Sequence, residues 1–86
     1  MYYVYVIQSK NTREIYIGYT IDLKRRLKQH NDNLSFSTKN RGPWLLIYYE
    51  AYRSRKDAKL REDRLKHYGR ALAQLKRRFI NSFLEV

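Results

Sequence analysis

The sequence predicts an α+β fold, with three strands and three helices in the order ββαβαα forming one compact domain over residues 1–86. Three observations predict it. Residues 2–7 and 14–19 are dense in β-branched and aromatic side chains and lie a hairpin's length apart. Residues 21–30 and much of the chain after 54 carry apolar residues at helical spacing. A three-stranded sheet cannot cover itself, so these helices must pack against it.

The elements follow in order. Tyr2-Tyr3-Val4-Tyr5-Val6-Ile7 reads as the first strand, and Gln8 to Arg13, with Ser9 and Asn11, as a turn. Glu14 to Tyr19 returns as a second strand, paired antiparallel to the first. Thr20 is expected to cap a helix starting at Ile21, with Asp22 in the first turn, where negative charge is favoured. That helix runs to about His30. Asn31 to Pro43 is a polar loop. Trp44 to Tyr52 is the third strand, and its unbroken run Leu45-Leu46-Ile47-Tyr48-Tyr49 suggests a central place with both faces covered. Ser54-Arg55-Lys56-Asp57 resembles a capping box and opens a helix to about Tyr68. Gly69 breaks it, and a last helix is expected from Arg70 to Phe83, with Leu72, Leu75, Phe79 and Phe83 as its stripe.

Charge narrows the partner. Lys and Arg number 19 against 8 acidic residues, so the net charge is +11, and self-repulsion on this scale points to a polyanion, nucleic acid first. An anionic membrane fits less well, because the cations are spread over several segments and no helix has the apolar face of a surface binder. No apolar run approaches the roughly 18 residues of a membrane span, and the N-terminus is not that of a signal peptide. The chain has no cysteine, which excludes disulfides and thiolate chemistry and accords with a cytoplasmic location.

Some polar residues sit where packing alone would not put them. On the first helix, Leu23, Leu27 and His30 share one face with Arg26 at its edge, while Lys24, Arg25 and Lys28 point elsewhere. An Asp22–Arg26 pair and a hydrogen-bonded core histidine would explain this without chemistry. On the second helix Glu62 lies between Ala58 and Leu65, where a carboxylate requires a salt bridge or a metal ion. Glu50, at the end of the third strand, is the rival acid. Tyr5 shares a strand face with Tyr3 and Ile7, and Tyr16 on the paired strand is placed to stand beside it.

Taken together, Tyr3-Val4-Tyr5, Tyr16-Ile17-Gly18-Tyr19-Thr20, Asp22-Leu23, Arg25-Arg26-Leu27, His30-Asn31, Pro43-Trp44, Ala58, Arg61-Glu62 and Leu65-Lys66 resemble the GIY-YIG nuclease family, above all its small stand-alone bacterial members. Tyr3 stands where the name motif has its first Gly. The resemblance implies a three-stranded antiparallel sheet flanked by helices. It also implies metal-dependent cleavage of a nucleic-acid phosphodiester, DNA rather than RNA, in repair or recombination. By position, Tyr5 and Tyr16 are the motif tyrosines, Arg26 the catalytic arginine, His30 a supporting residue and Glu62 the metal ligand. A guanidinium suits the charge that develops on phosphorus, and one carboxylate with waters suits Mg²⁺, or Mn²⁺ in its place. For Tyr5 to take a proton from the attacking water its pKa must be depressed, or else His30 or bulk base does this work. Lys24, Arg25, Lys28, Lys39 and Arg41 would hold the phosphate backbone without reading sequence. The rival expectation is a non-catalytic nucleic-acid-binding module on the same scaffold, and a partner-dependent subunit is a third.

Overall fold

A computed structural model describes residues 1–84 of the chain. The two outermost C-terminal residues, 85 and 86, lie outside the described residues. The order is β1 (Tyr2–Ser9), β2 (Ile15–Thr20), α1 (Leu23–Asn31), β3 (Trp44–Tyr52), α2 (Arg55–His67) and α3 (Gly69–Lys76). A single 3-10 turn (Phe36–Thr38) lies in the loop before β3, and a 3-10 segment (Arg77–Ser82) follows α3. The architecture is the expected α+β, ββαβαα arrangement with an antiparallel three-stranded sheet.

The strand order is β2-β1-β3, so β1 is central and β3 is an edge. This corrects the expectation for β3. Its apolar run is only partly covered, with Leu46, Ile47 and Tyr48 half-buried, and an apolar composition says nothing about whether a strand has hydrogen-bonded neighbours on both sides. Leu45 and Tyr49 remain exposed, whereas β1 is buried continuously from Val4 to Ser9. A bulge between Val6 and Ile7 in the β1–β3 register sets Ile47 outside the pairing, so Leu46 faces Ile7 and Trp44 faces Ser9.

Two apolar layers result. On one face Val4, Val6 and Ile17 pack with Ala58 and Leu65 of α2, Leu75 of α3, and Phe79. On the other Tyr5, Ile7 and Trp44 pack with Leu23 and Leu27 of α1. The expected last helix is not continuous. It ends at Lys76, and the tighter winding beyond it, with Phe79 at φ −130°, ψ 32°, carries the chain round. Phe79 then stacks on Tyr48 at 4.9 Å between centroids and meets Phe83 at 5.1 Å. Leu84 N–H donates to Gln8 Oε1 at 2.7 Å, tying the chain end to β1.

Helix starts are also corrected in detail. Asp22, not Thr20, is the N-cap of α1, its carboxylate accepting from Arg25 N–H at 3.1 Å. The Thr20 hydroxyl instead accepts from Asp22 N–H. Because Asp22 is spent as a cap, its side chain forms no ion pair with Arg26. Ser54 caps α2 as expected. Tyr68, in extended conformation, ends α2 and begins α3, so Gly69 is the first residue of the next helix rather than a spacer.

Candidate active site

The site lies on the α1 face of the sheet. Gly18 sits opposite Tyr5 in the β1–β2 register, and Tyr16 one step along, opposite Ile7. The position beside Tyr5 is therefore Gly18's and not Tyr16's. A Cβ on Gly18 would stand 2.2 Å from the Tyr5 hydroxyl oxygen and 2.3 Å from its Cζ, so the absent side chain is the space the phenol occupies. Gly18→Ala is expected to cost about 1–3 kcal/mol through overpacking and to displace Tyr5. Thermal melts together with tyrosine-dependent activity are the check, and an alanine variant of unchanged stability would show that the ring can shift freely.

His30 joins the helix to both tyrosines. It is fully buried, with Nε2 2.7 Å from the Tyr5 hydroxyl and Nδ1 2.7 Å from Thr38 Oγ1. Its ring meets those of Tyr5 and Tyr16 edge-on at 5.7 and 5.3 Å between centroids. Burial, and secondarily the charge of Arg26, hold its pKa down to about 4, so the imidazole is neutral at physiological pH. The histidine is thus a hydrogen-bonded core residue and a site residue at once.

This neutrality has a measurable consequence. The unfolded histidine binds a proton below about 6.5, whereas the folded one refuses it until about pH 4. Folding therefore loses stability as pH falls through that window, on the order of 3 kcal/mol from this group. Urea midpoints from pH 8 to pH 4 are expected to fall more steeply for the wild-type chain than for His30→Gln. Equal slopes would remove His30 as the cause.

Arg26 is half-buried and held from two sides. Its guanidinium donates to Gln29 Oε1 at 2.9 Å and to Ser35 Oγ at 3.2 Å. Arg26, Tyr16 and Glu62 all lie close enough to Tyr5 to act on its ionisation. Burial dominates and pushes the phenol up to about 12 despite the opposing guanidinium. The depressed pKa that would make Tyr5 a direct base is absent. A neutral imidazole carries one N–H, so in the tautomer with Nδ1–H toward Thr38 the Tyr5 hydroxyl donates to His30 Nε2.

Glu62 reaches this site from α2. Its carboxylate is 13 % exposed and pairs with Lys59 at 3.3 Å and Lys66 at 3.1 Å. Those lysines are themselves 52 % and 37 % exposed and lie over the rings of Tyr19 and Tyr16. Glu50 is committed elsewhere. It takes two bonds from Arg61, at 2.9 and 3.1 Å, and one each from the Tyr48 and Tyr52 hydroxyls. Burial works to raise its pKa, but these donors outweigh it and hold the carboxyl below its ordinary value. Glu50 is a structural hub on the opposite face of the sheet.

The five expected site residues, Tyr5, Tyr16, Arg26, His30 and Glu62, thus converge. The expected backbone-binding cations do not form a uniform set. Lys24, Arg25 and Lys39 are exposed, whereas Lys28 pairs with Asp32 at 2.5 Å and Arg41 with Glu14 at 2.8 Å. Sequence reasoning missed Thr38, Ser35 and Gln29, which orient His30 and Arg26. Only Gln29, three residues from Arg26 on one helix, left a signal in spacing. Asn31, quoted in the resemblance without a role, accepts through its side chain from Trp44 N–H at 2.6 Å and donates to Trp44 C=O at 3.1 Å, fastening α1 to β3.

A three-stranded sheet presenting two tyrosines to a helical Arg and His, with a carboxylate closing in from a second helix, defines the class: a compact nuclease-type domain. The chain belongs to the GIY-YIG family, the model of whose catalytic domain matches residues 1–81. It is 35% identical over 71 residues to a UPF0213 protein of Clostridium perfringens, covering 81% of this chain and 75% of that one. A UPF0213 protein of Haloquadratum walsbyi is 34% identical over 74 residues, covering 85% and 82%. Among solved structures, the solution NMR structure of a UPF0213 protein from Bacillus halodurans superposes with a TM-score of 0.53 at 34% identity, covering 88% of this chain and 86% of that one. The family is one of nucleases, and nucleic acid is the substrate class it implies. Among the described residues no helix is long and apolar enough to cross a membrane.

Proposed function

We propose that the chain is a divalent-metal-dependent endonuclease-like domain that hydrolyses nucleic-acid phosphodiester bonds, of DNA before RNA, in repair or recombination. The observation that carries this reading is the hydrogen-bonded line Thr38–His30–Tyr5, set beside Arg26, Tyr16 and Glu62. Structural packing alone would not gather an imidazole, a guanidinium and a carboxylate around a buried phenol.

The donor set suits a hard cation. Among the described residues no three or more His, Cys, Asp or Glu side chains stand together. A metal here would therefore rest on Glu62 alone and complete its shell with water and phosphate oxygens, the habit of Mg²⁺ and, by similar chemistry, Mn²⁺. Lys59 and Lys66 are exposed enough to swing off the carboxylate. When bound, the cation would supply Lewis-acid stabilisation of charge on the phosphate and the leaving oxygen.

The chain's own residues account for the rest. Arg26, braced by Gln29 and Ser35, presents a planar donor to the phosphoryl oxygens and strengthens its hold as negative charge grows there. Tyr5, protonated in the free protein, acts as a relay. It accepts the water's proton as its own passes to His30 Nε2, and Thr38 accepts from Nδ1–H. An anionic phosphate against Arg26 offsets one of the two causes that hold the His30 pKa down, which makes the imidazole a better acceptor when substrate is present. Tyr16 orients phosphate or water, and Lys24, Arg25 and Lys39 hold the flanking backbone.

A second reading, a binding module without catalysis, draws on the lysine paired to each Glu62 oxygen. Incubation with Mg²⁺ or Mn²⁺ on single-stranded, duplex, nicked and branched DNA and RNA separates the two. Metal-dependent cleavage of at least one substrate is expected, and tight binding with no cleavage of any would leave the binding module.

A further inference from the structure

We infer that the corner between α2 and α3 is a second nucleic-acid contact, a stacking site for an unpaired nucleobase, set apart from the candidate active site. A cleft of about 430 Å³ opens there, lined by Arg64, Tyr68, Arg70, Ala71 and Gln74. That is the size of a small-ligand site. Residues two apart on a helix differ by about 200° around the axis, so Arg64 faces away from Glu62 and the reaction centre.

The lining groups match the chemistry of a nucleotide. Tyr68 is 61 % exposed, and its extended backbone between the two helices projects the ring outward instead of into the core. An exposed aromatic ring offers a base a sequence-tolerant stacking face. Among the described residues, Arg64 and Arg70 have no carboxylate partner, unlike Arg61, which Glu50 holds. They are free to take phosphates on either side of a stacked base. Gln74 adds an amide able to donate and accept at a base edge. Asp63, next to Arg64 in the chain, is engaged with His67 at 3.0 Å. The surrounding segment, residues 53–78, holds 11 of the chain's 19 Lys and Arg residues against three acids. This charge complements a polyanion. The aromatic face favours a single strand over a duplex, whose bases are already stacked.

The inference does not depend on cleavage, so it is tested by binding without divalent metal. A fluorescein-labelled oligothymidylate and a duplex of equal length are titrated against wild type, Tyr68→Ala, Tyr68→Phe and Arg64→Ala/Arg70→Ala. Tyr68→Ala is expected to weaken single-strand binding about tenfold, with little effect on duplex and with Tyr68→Phe close to wild type. The double arginine variant is expected to lower the salt slope by about two. An oligonucleotide carrying 5-iododeoxyuridine is expected to crosslink to Tyr68 in the wild-type protein, a readout independent of how any variant folds. Single-strand affinity unchanged by Tyr68→Ala, equal losses on single strand and duplex, or crosslinks confined to the Tyr5 side would each overturn the assignment.

Discussion

Replacing Arg26 by alanine is expected to lower single-turnover cleavage by about 10² or more, while replacing Lys24 leaves the rate at saturating protein nearly unchanged. The two cations stand on one helix, two positions apart, but their surroundings differ. Arg26 is half-buried, braced by Gln29 and Ser35, and near enough to Tyr5 to act on its proton. Its orientation is set before substrate arrives, so its charge can serve the transition state without reorganisation. Lys24 is exposed and has no partner among the described residues, so its loss is expected to weaken affinity slightly and lower the salt slope by about one. Arg26→Lys is expected to rescue poorly, because an ammonium cannot make the planar two-point contact or span Gln29 and Ser35 together. Single-turnover rates measured beside equilibrium titrations decide the matter. Equal effects of the two alanine substitutions on both quantities would reduce α1 to a basic surface.

Glu62→Ala and Glu50→Ala are expected to fail in opposite ways. Loss of Glu62 removes the carboxylate that acts on Tyr5, so metal-dependent cleavage is expected to vanish across a full Mg²⁺ titration. The fold is expected to survive, because the partners Lys59 and Lys66 are exposed and such pairs contribute about 0–1 kcal/mol. Nucleic-acid affinity without metal is expected to rise slightly, since a negative charge leaves a surface that already carries +11 in sum. Glu50→Ala strands Arg61 and two tyrosine hydroxyls that now share one carboxylate. That substitution is expected to cost about 3 kcal/mol of stability. The depressed pKa of Glu50 means that its contribution is present above the ordinary carboxylate range and is lost as pH falls through its folded value. Denaturation midpoints and cleavage assays on both variants form the cross. If Glu62→Ala unfolds the chain, Glu62 is the structural ion-pair partner.

Local pattern was enough for much of this molecule. Alternation and β-branching placed β1 and β2, apolar spacing placed α1 and α2, and Ser54 marked where α2 begins, because these signals arise within a few residues of the backbone they shape. The site residues were legible for a related reason. Spacing placed Arg26, His30 and Glu62 on faces turned toward the core, and the resemblance to the GIY-YIG motifs singled them out together with Tyr5 and Tyr16. The alternatives around them were not decidable from spacing. Asp22 could pair with Arg26 or cap α1, and either use satisfies its charge locally. Only the geometry of the β2–α1 junction commits it to the cap.

The remaining features needed the whole fold. The apolar run of β3 suggests a covered central strand and carries no trace of the open edge beside it, since hydrogen-bonded neighbours are chosen by topology. Thr38 and Ser35 sit in a polar loop whose composition matches any other, and they matter only because the chain returns past His30 and Arg26. Glu50 and Glu62 are both carboxylates in partly buried places, and the partners the fold gives each, Arg61 and two tyrosines against two exposed lysines beside Tyr5, separate the hub from the candidate ligand. The pKa values of Tyr5 and His30 are the sharpest case. The chain's motifs name the ionisable groups of the candidate site, but burial by distant segments decides that the phenol keeps its proton and the imidazole stays neutral, because desolvation belongs to the assembled surroundings and not to the residue.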